Sequence, residues 1–153
     1  MGVTFAPDAM WDTFRHAEKL AGEYDVRLAI HNHGGYDWLG NIPMLDYVFR
    51  HTHQRIGLCL DTAWALDAGH DPVALVEKFG PRLYGLHIKD FVFDPAGKPH
   101  DVVVGTGNLK IADLVAALRR VNFNGYAVLE YEGDPADPVP KLLECVQAVK
   151  QAL

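Results

Sequence analysis

Short runs of leucine and β-branched residues alternate with amphipathic stretches, and this alternation constrains the fold more than any other feature of the chain. Strand-like runs fall at residues 26–31, 56–60, 83–88 and 125–130. Each is a brief apolar segment bounded by turn signals, the mark of a strand covered on its faces. Between them lie stretches with helical spacing. The first helix follows Pro7-Asp8 and runs to about residue 24, with Met10, Phe14, Ala17, Leu20 and Ala21 on one face. After a break at Gly34-Gly35, residues 44–50 are helical in character. Asp71-Pro72 supplies a capping carboxylate and a first-turn proline for a helix over 73–79. Residues 91–107 form a loop or hairpin around the turn Asp94-Pro95-Ala96-Gly97. A helix over 111–120 follows, and Asp137-Pro138 opens a last helix towards Leu153. Strands separated by helices specify an α/β fold: four βα units with parallel strands, spanning residues 1–153 as one domain.

Composition narrows the function classes. Apolar residues make up 49% and charged residues 22% of the 153, an ordinary globular balance. A net charge of -6, with no basic stripe, argues against nucleic acid or an anionic membrane as partner. Cys59 and Cys145 make no disulfide framework; Cys59 reads as a buried free thiol, and a reducing cytoplasm is expected. The opening residues show neither a charged leader nor a membrane-length apolar run.

Every expected strand ends in a polar residue with metal-binding chemistry. His31 and His33 close the first, Asp61 the second, His87 and Lys89 the third, Glu130 and Glu132 the fourth. In a parallel βα sheet the C-terminal strand ends share one rim, so these side chains converge despite their separation in sequence. Alternation along a strand puts His31 with His33, and His87 with Lys89, on one face. A histidine-and-carboxylate set suits Mn, Zn, Co, Fe or Mg better than calcium, which prefers oxygen throughout. His16, His51, His53 and His100 read as surface residues.

The segments Ala29-Ile30-His31-Asn32-His33-Gly34-Gly35, Gly57-Leu58-Cys59-Leu60-Asp61-Thr62, Leu86-His87-Ile88-Lys89-Asp90 and Gly125-Tyr126-Ala127-Val128-Leu129-Glu130-Tyr131-Glu132 resemble the xylose-isomerase-like TIM-barrel superfamily. The turn Gly105-Thr106-Gly107 is similar to a glycine-rich turn of that group. The superfamily includes sugar-phosphate isomerases and epimerases, inosose dehydratases, hydroxypyruvate isomerases and, more distantly, endonuclease IV. The resemblance implies that His31, Asp61, His87 and Glu130 hold one divalent metal at the ends of barrel strands five to eight. It also implies that the chain is the C-terminal half of a barrel, with the first helix preceding strand five.

Two positions depart from the pattern. Trp64 stands where many members have the histidine of a D-x-x-H motif, and His70 lies outside that motif. His31 replaces the glutamate common in epimerases, which leaves Glu130 as the obvious base and shifts weight from two-base epimerisation towards isomerisation or β-elimination. The implied activity is that of a metal-dependent sugar or keto-polyol isomerase, epimerase or dehydratase working through an enediolate. The substrate is a small carbohydrate-like molecule. Glu130 removes the proton, while Lys89 or His33 protonates or orients oxygens. Trp64 is read first as a core residue and second as an apolar wall for substrate. Glu132 either supports Glu130 or is an exposed loop carboxylate.

Four βα units leave two strand edges and an inner sheet face uncovered. Self-association into a homodimer is the expected remedy, with a complementary half-barrel chain or a longer parent protein as alternatives. The competing function is a non-catalytic metal-binding or structural half-barrel. A three-zinc nuclease is disfavoured by the acidic charge and by too few ligands.

Overall fold

The computed structural model describes residues 10–34 and 37–153. The Asp8 start signal and Gly35 of the expected break lie outside the described residues. Helix α1 (Met10–Glu23) leads to strand β1 (Leu28–His31), then α2 (Ile42–His51), β2 (Ile56–Asp61), α3 (Thr62–Asp67) and α4 (Pro72–Phe79). β3 (Leu83–Ile88), a hairpin of β4 (Asp90–Phe93) and β5 (Pro99–Val102), α5 (Ile111–Arg120), β6 (Tyr126–Leu129) and α6 (Val139–Ala152) complete the order. β1, β2, β3 and β6 form a parallel sheet in that order, whereas β4 and β5 pair antiparallel. The four expected strands and the hairpin are therefore present.

Local chemistry accounts for the punctuation. Asn41 and Asp71 cap α2 and α4, accepting from the backbone N–H groups of Met44 and Val73. The Asp94 carboxylate accepts from Ala96 N and Lys98 N, and Gly97 takes a φ of 80°, which closes the hairpin turn at little steric cost. Arg82 donates to four carbonyls, those of Phe49, Thr52, His53 and Ile56, at 2.7–2.9 Å, tying the end of α2 to the start of β2.

The core lies between the sheet and its helices. Ile56, Leu58 and Leu60 of β2 and Leu86 and Ile88 of β3 pack with Leu45 and Val48 of α2, Leu75, Val76 and Phe79 of α4, and Leu114 and Ala117 of α5. The opposite sheet face carries Ala29, Cys59, Gly85, His87 and Val128 around an open concavity. Cys59 is half-buried rather than fully buried, because it shares this face with Asp61 while Leu58 and Leu60 point at the helices. Among the described residues, β1 is the edge strand on one side and β6 on the other. Helix α3 was not anticipated; it starts at once from the end of β2 and uses Asp61 itself as its cap. No helix among the described residues is long and apolar enough to cross a membrane.

Candidate metal centre

Parallel pairing in register brings the strand ends level: His31 lies opposite Cys59, Asp61 opposite His87, and Ile88 opposite Leu129. His31, Asp61, His87 and Glu130 thereby each offer one ligand atom, all within 4.8 Å of one another. His31 Nε2 is 3.1 Å from His87 Nδ1 and 3.5 Å from Asp61 Oδ2. His87 Nδ1 is 3.9 Å from Asp61 Oδ2 and 2.6 Å from Glu130 Oε2.

Asp61 divides its two oxygens between structure and site. Oδ1 accepts from Ala63 N and Trp64 N at 2.9 Å and starts α3. Oδ2 is buried and has no hydrogen-bond partner. A buried carboxylate oxygen without a partner is costly, and a cation at the convergence point removes that cost. The donor set, two imidazoles and two carboxylates, matches a first-row divalent ion. The residues present fit such a metal.

Hydrogen bonds that no local sequence pattern announces fix the candidate ligand residues. Asn32 is buried; its Oδ1 accepts from Asp61 N at 2.8 Å and its Nδ2 donates to Asp61 O at 3.1 Å, locking the end of β1 to that of β2. Thr62 Oγ1 donates to Lys89 O at 2.6 Å and lies 2.9 Å from Lys89 N, locking β2 to β3. Asp90 accepts from Gly105 N, Gly107 N and Leu109 N, which pulls the glycine turn against the strand end. A side chain at Gly107 would meet the Asp90 carboxylate at 2.6 Å, so glycine is required there.

Lys89 is 1% exposed, and its ammonium faces three carboxylates. Glu130 Oε1 is at 2.9 Å and Asp101 Oδ2 at 3.4 Å, and Glu132 Oε2 also accepts from it. Burial opposes the charge, but the hydrogen bonds to Glu132 and Glu130 outweigh it and hold the Lys89 pKa above the ordinary lysine value. Glu130 is held below the usual carboxylate range: burial pushes it up, and Lys89, with His87 and His31 behind it, more than reverses the push. Burial raises Asp101, against the Glu132 N–H and Lys89. The Cys59 thiol is pushed up to about 11, by burial first and then by Asp61 and Glu130.

The remaining expected residues sit on the rim. His33 is exposed, with its ring 4.9 Å from that of His31 and stacked on Trp64 at 5.6 Å. Trp64 is half-buried rather than a core residue, wedged between His33 and the edge of Phe91. Its placement follows from α3, whose first turn is tied to Asp61. Glu132 is 68% exposed. His16, His51, His53 and His100 are exposed, as expected. Asp101 was missed, because a hairpin residue carries no periodic signal of where its side chain goes.

Residues 6–149 match the xylose isomerase-like TIM barrel family, and the chain belongs to it. Among curated proteins it is 29% identical over 138 residues to the rhizopine catabolism protein MocC of Rhizobium meliloti, covering 81% of this chain and 42% of the relative. It is 25% identical over 144 residues to inosose dehydratase of Geobacillus kaustophilus, covering 84% and 46%. The chain thus spans about half the length of the curated relatives it matches. Of solved structures, a xylose isomerase domain protein from Planctomyces limnophilus superposes with a TM-score of 0.74 at 18% identity, over 96% of this chain and 54% of that one. The 3-keto-D-glucoside 4-epimerase of E. coli gives 0.72 at 16%, over 92% and 51%. At these identities the structural likeness concerns the fold.

Proposed function

We propose that this chain carries the metal-binding half of a divalent-metal-dependent enzyme that isomerises, epimerises or dehydrates a small sugar or keto-polyol. The observation that carries the reading is the buried Asp61 Oδ2, which has no hydrogen-bond partner, within a set of four candidate ligand residues. Similarity to inosose dehydratase supports the substrate class and adds weight to dehydration. A divalent cation held by His31, Asp61, His87 and Glu130 would draw charge from a carbonyl and its neighbouring hydroxyl, and so acidify the α-proton. Glu130 is the base in this reading. Its lowered pKa keeps it ionised at neutral pH, and Lys89 holds it in place. His33 is the rim residue free to reach substrate oxygens, and Trp64 offers an apolar wall beside it. Glu132 shares Lys89 with Glu130 and steadies it from the solvent side.

The open strand edges support a second element of the proposal: the substrate pocket is completed by further βα units. Two copies joined around a twofold axis would pair β6 of one with β1 of the other. The outer side of each such junction would receive two helices, α6 from one copy and α1 from its neighbour. A polypeptide of four strands and the three helices between them fits both edges without that conflict, and relatives of about twice the length are consistent with it. The expected self-association is therefore the weaker form of completion.

The test is a Mn2+ titration of the metal-stripped chain, alone and with the His87→Ala variant. About one tight ion per chain, lost in the variant, is the expected result. Absence of binding by folded protein would leave the non-catalytic half-barrel as the better description.

A further inference from the structure

The Lys89 ammonium sits in an arrangement that ordinarily surrounds a metal ion. Three carboxylates from two separate elements converge on it: Glu130 and Glu132 follow β6, and Asp101 comes from the β4–β5 hairpin. It donates to Glu130 and Glu132, forms an ion pair with Asp101, and is 1% exposed. Glu130 faces two ways, with Oε1 on Lys89 and Oε2 among the four-residue ligand set. In two-metal centres a carboxylate commonly spans the two ions. Here Glu130 spans a metal position and an amine.

Asp101 supplies an independent observation. Its side chain is 8% exposed, Oδ2 serves both Lys89 and Glu132 N, and Oδ1 is buried without a hydrogen-bond partner. The hairpin therefore delivers a carboxylate with spare ligand capacity to the Lys89 site. The centre as a whole sets four carboxylates, Asp61, Asp101, Glu130 and Glu132, against one ammonium.

We propose that Lys89 is a resident cation standing where a second divalent ion would otherwise bind, which makes the centre mononuclear, and that Asp101 is the positioning residue that holds it there. Lys89 keeps Glu130 Oε1 engaged and leaves Oε2 to the metal side. A small apolar residue in place of Lys89 exposes an oxygen-rich cradle, the donor type that Mn2+ and Mg2+ prefer. The inference rests on the metal reading proposed above, and the experiment separates the two.

Mn2+ is titrated into the metal-stripped full chain, with bound ions counted and spin coupling between them followed by electron paramagnetic resonance. Wild type is expected to take one ion, Lys89→Ala two coupled ions, and the double variant Lys89→Ala/Asp101→Asn one. In an otherwise wild-type chain, Asp101→Asn is expected to weaken the single site roughly tenfold, and Asp101→Glu to restore part of the loss. One ion in both wild type and folded Lys89→Ala would overturn this inference and leave the metal reading standing. Two ions in wild type would overturn it as well. No ion in wild type would remove the metal reading itself, and this inference with it. Should Lys89→Ala not fold without metal, it is refolded with Mn2+: recovery with two ions supports the proposal, and failure at millimolar Mn2+ overturns it.

Discussion

The two inner strands and the two outer strands of the sheet are built from similar residues and meet different surroundings. Leu58 and Leu60 of β2 and Leu86 of β3 are fully buried, closed in by α2, α4 and α5. On the outer strands Tyr126 is 86% exposed, Val128 is 51% exposed, and Leu28 is exposed too. Beside β1, an apolar groove runs between Leu28 and Ile30 of the strand and Phe14, Ala17 and Leu20 of α1. Beyond β6, Val139 and Leu143 of α6 are exposed. A hydrophobic run declares that a segment needs cover; it does not declare that the same chain supplies it. Among the described residues the difference locates the uncovered apolar surface at both edges and the inner face, while the candidate ligand residues already converge at one rim.

That contrast is open to direct tests, of which the harshest is core truncation. Leu86→Ala is expected to cost about 3–4 kcal/mol, because a buried leucine leaves a cavity that tight packing does not refill. Urea unfolding followed by circular dichroism measures it, and a loss under 1 kcal/mol would mean the inner strands are not the core. Arg82→Met should come next, at about 2–3 kcal/mol, since four carbonyls lose a charged donor at once. Val128→Ala in the isolated chain is expected to change stability by less than about 0.5 kcal/mol, as an exposed site does. A larger, concentration-dependent loss in Tm would show that β6 is covered by another copy. The mildest probe is thiol labelling. Cys145, on the buried face of α6, should label only on unfolding, whereas Cys59 should label in the folded chain as pH rises towards about 11. At pH 8 its rate should be about a hundredfold below that of an ordinary thiol. Protection of Cys59 at every pH in mass spectrometry would mean that the inner face is closed.

The candidate site was legible to unequal depth. His31, Asp61, His87 and Glu130 were recoverable because each ends an apolar run, and parallel strands in register bring such ends to one rim. Lys89 and Glu132 were found by the same rule, but their mutual pairing was not. Asp101 reaches Lys89 from the hairpin, and Asn32 and Thr62 work through hydrogen bonds to the neighbouring strand end. None of these three marks a period or a turn, so sequence gave no sign of its target. Helix α3 escaped because its six residues are too few for a clear helical period, and its cap was assigned only to the metal. Trp64 changed place for the same reason: α3 turns it to the rim beside His33.

Sequence alone determined the four strands of the parallel sheet, every helix but α3, and the four residues that converge at one rim, because each depends on local periodicity or on what stands at a strand end. Tertiary structure decided which oxygen of Asp61 is free, that three carboxylates surround Lys89, and which apolar faces stay open. The surroundings of Lys89 depend on distances of a few ångströms between residues 12 to 43 positions apart, which no local pattern encodes.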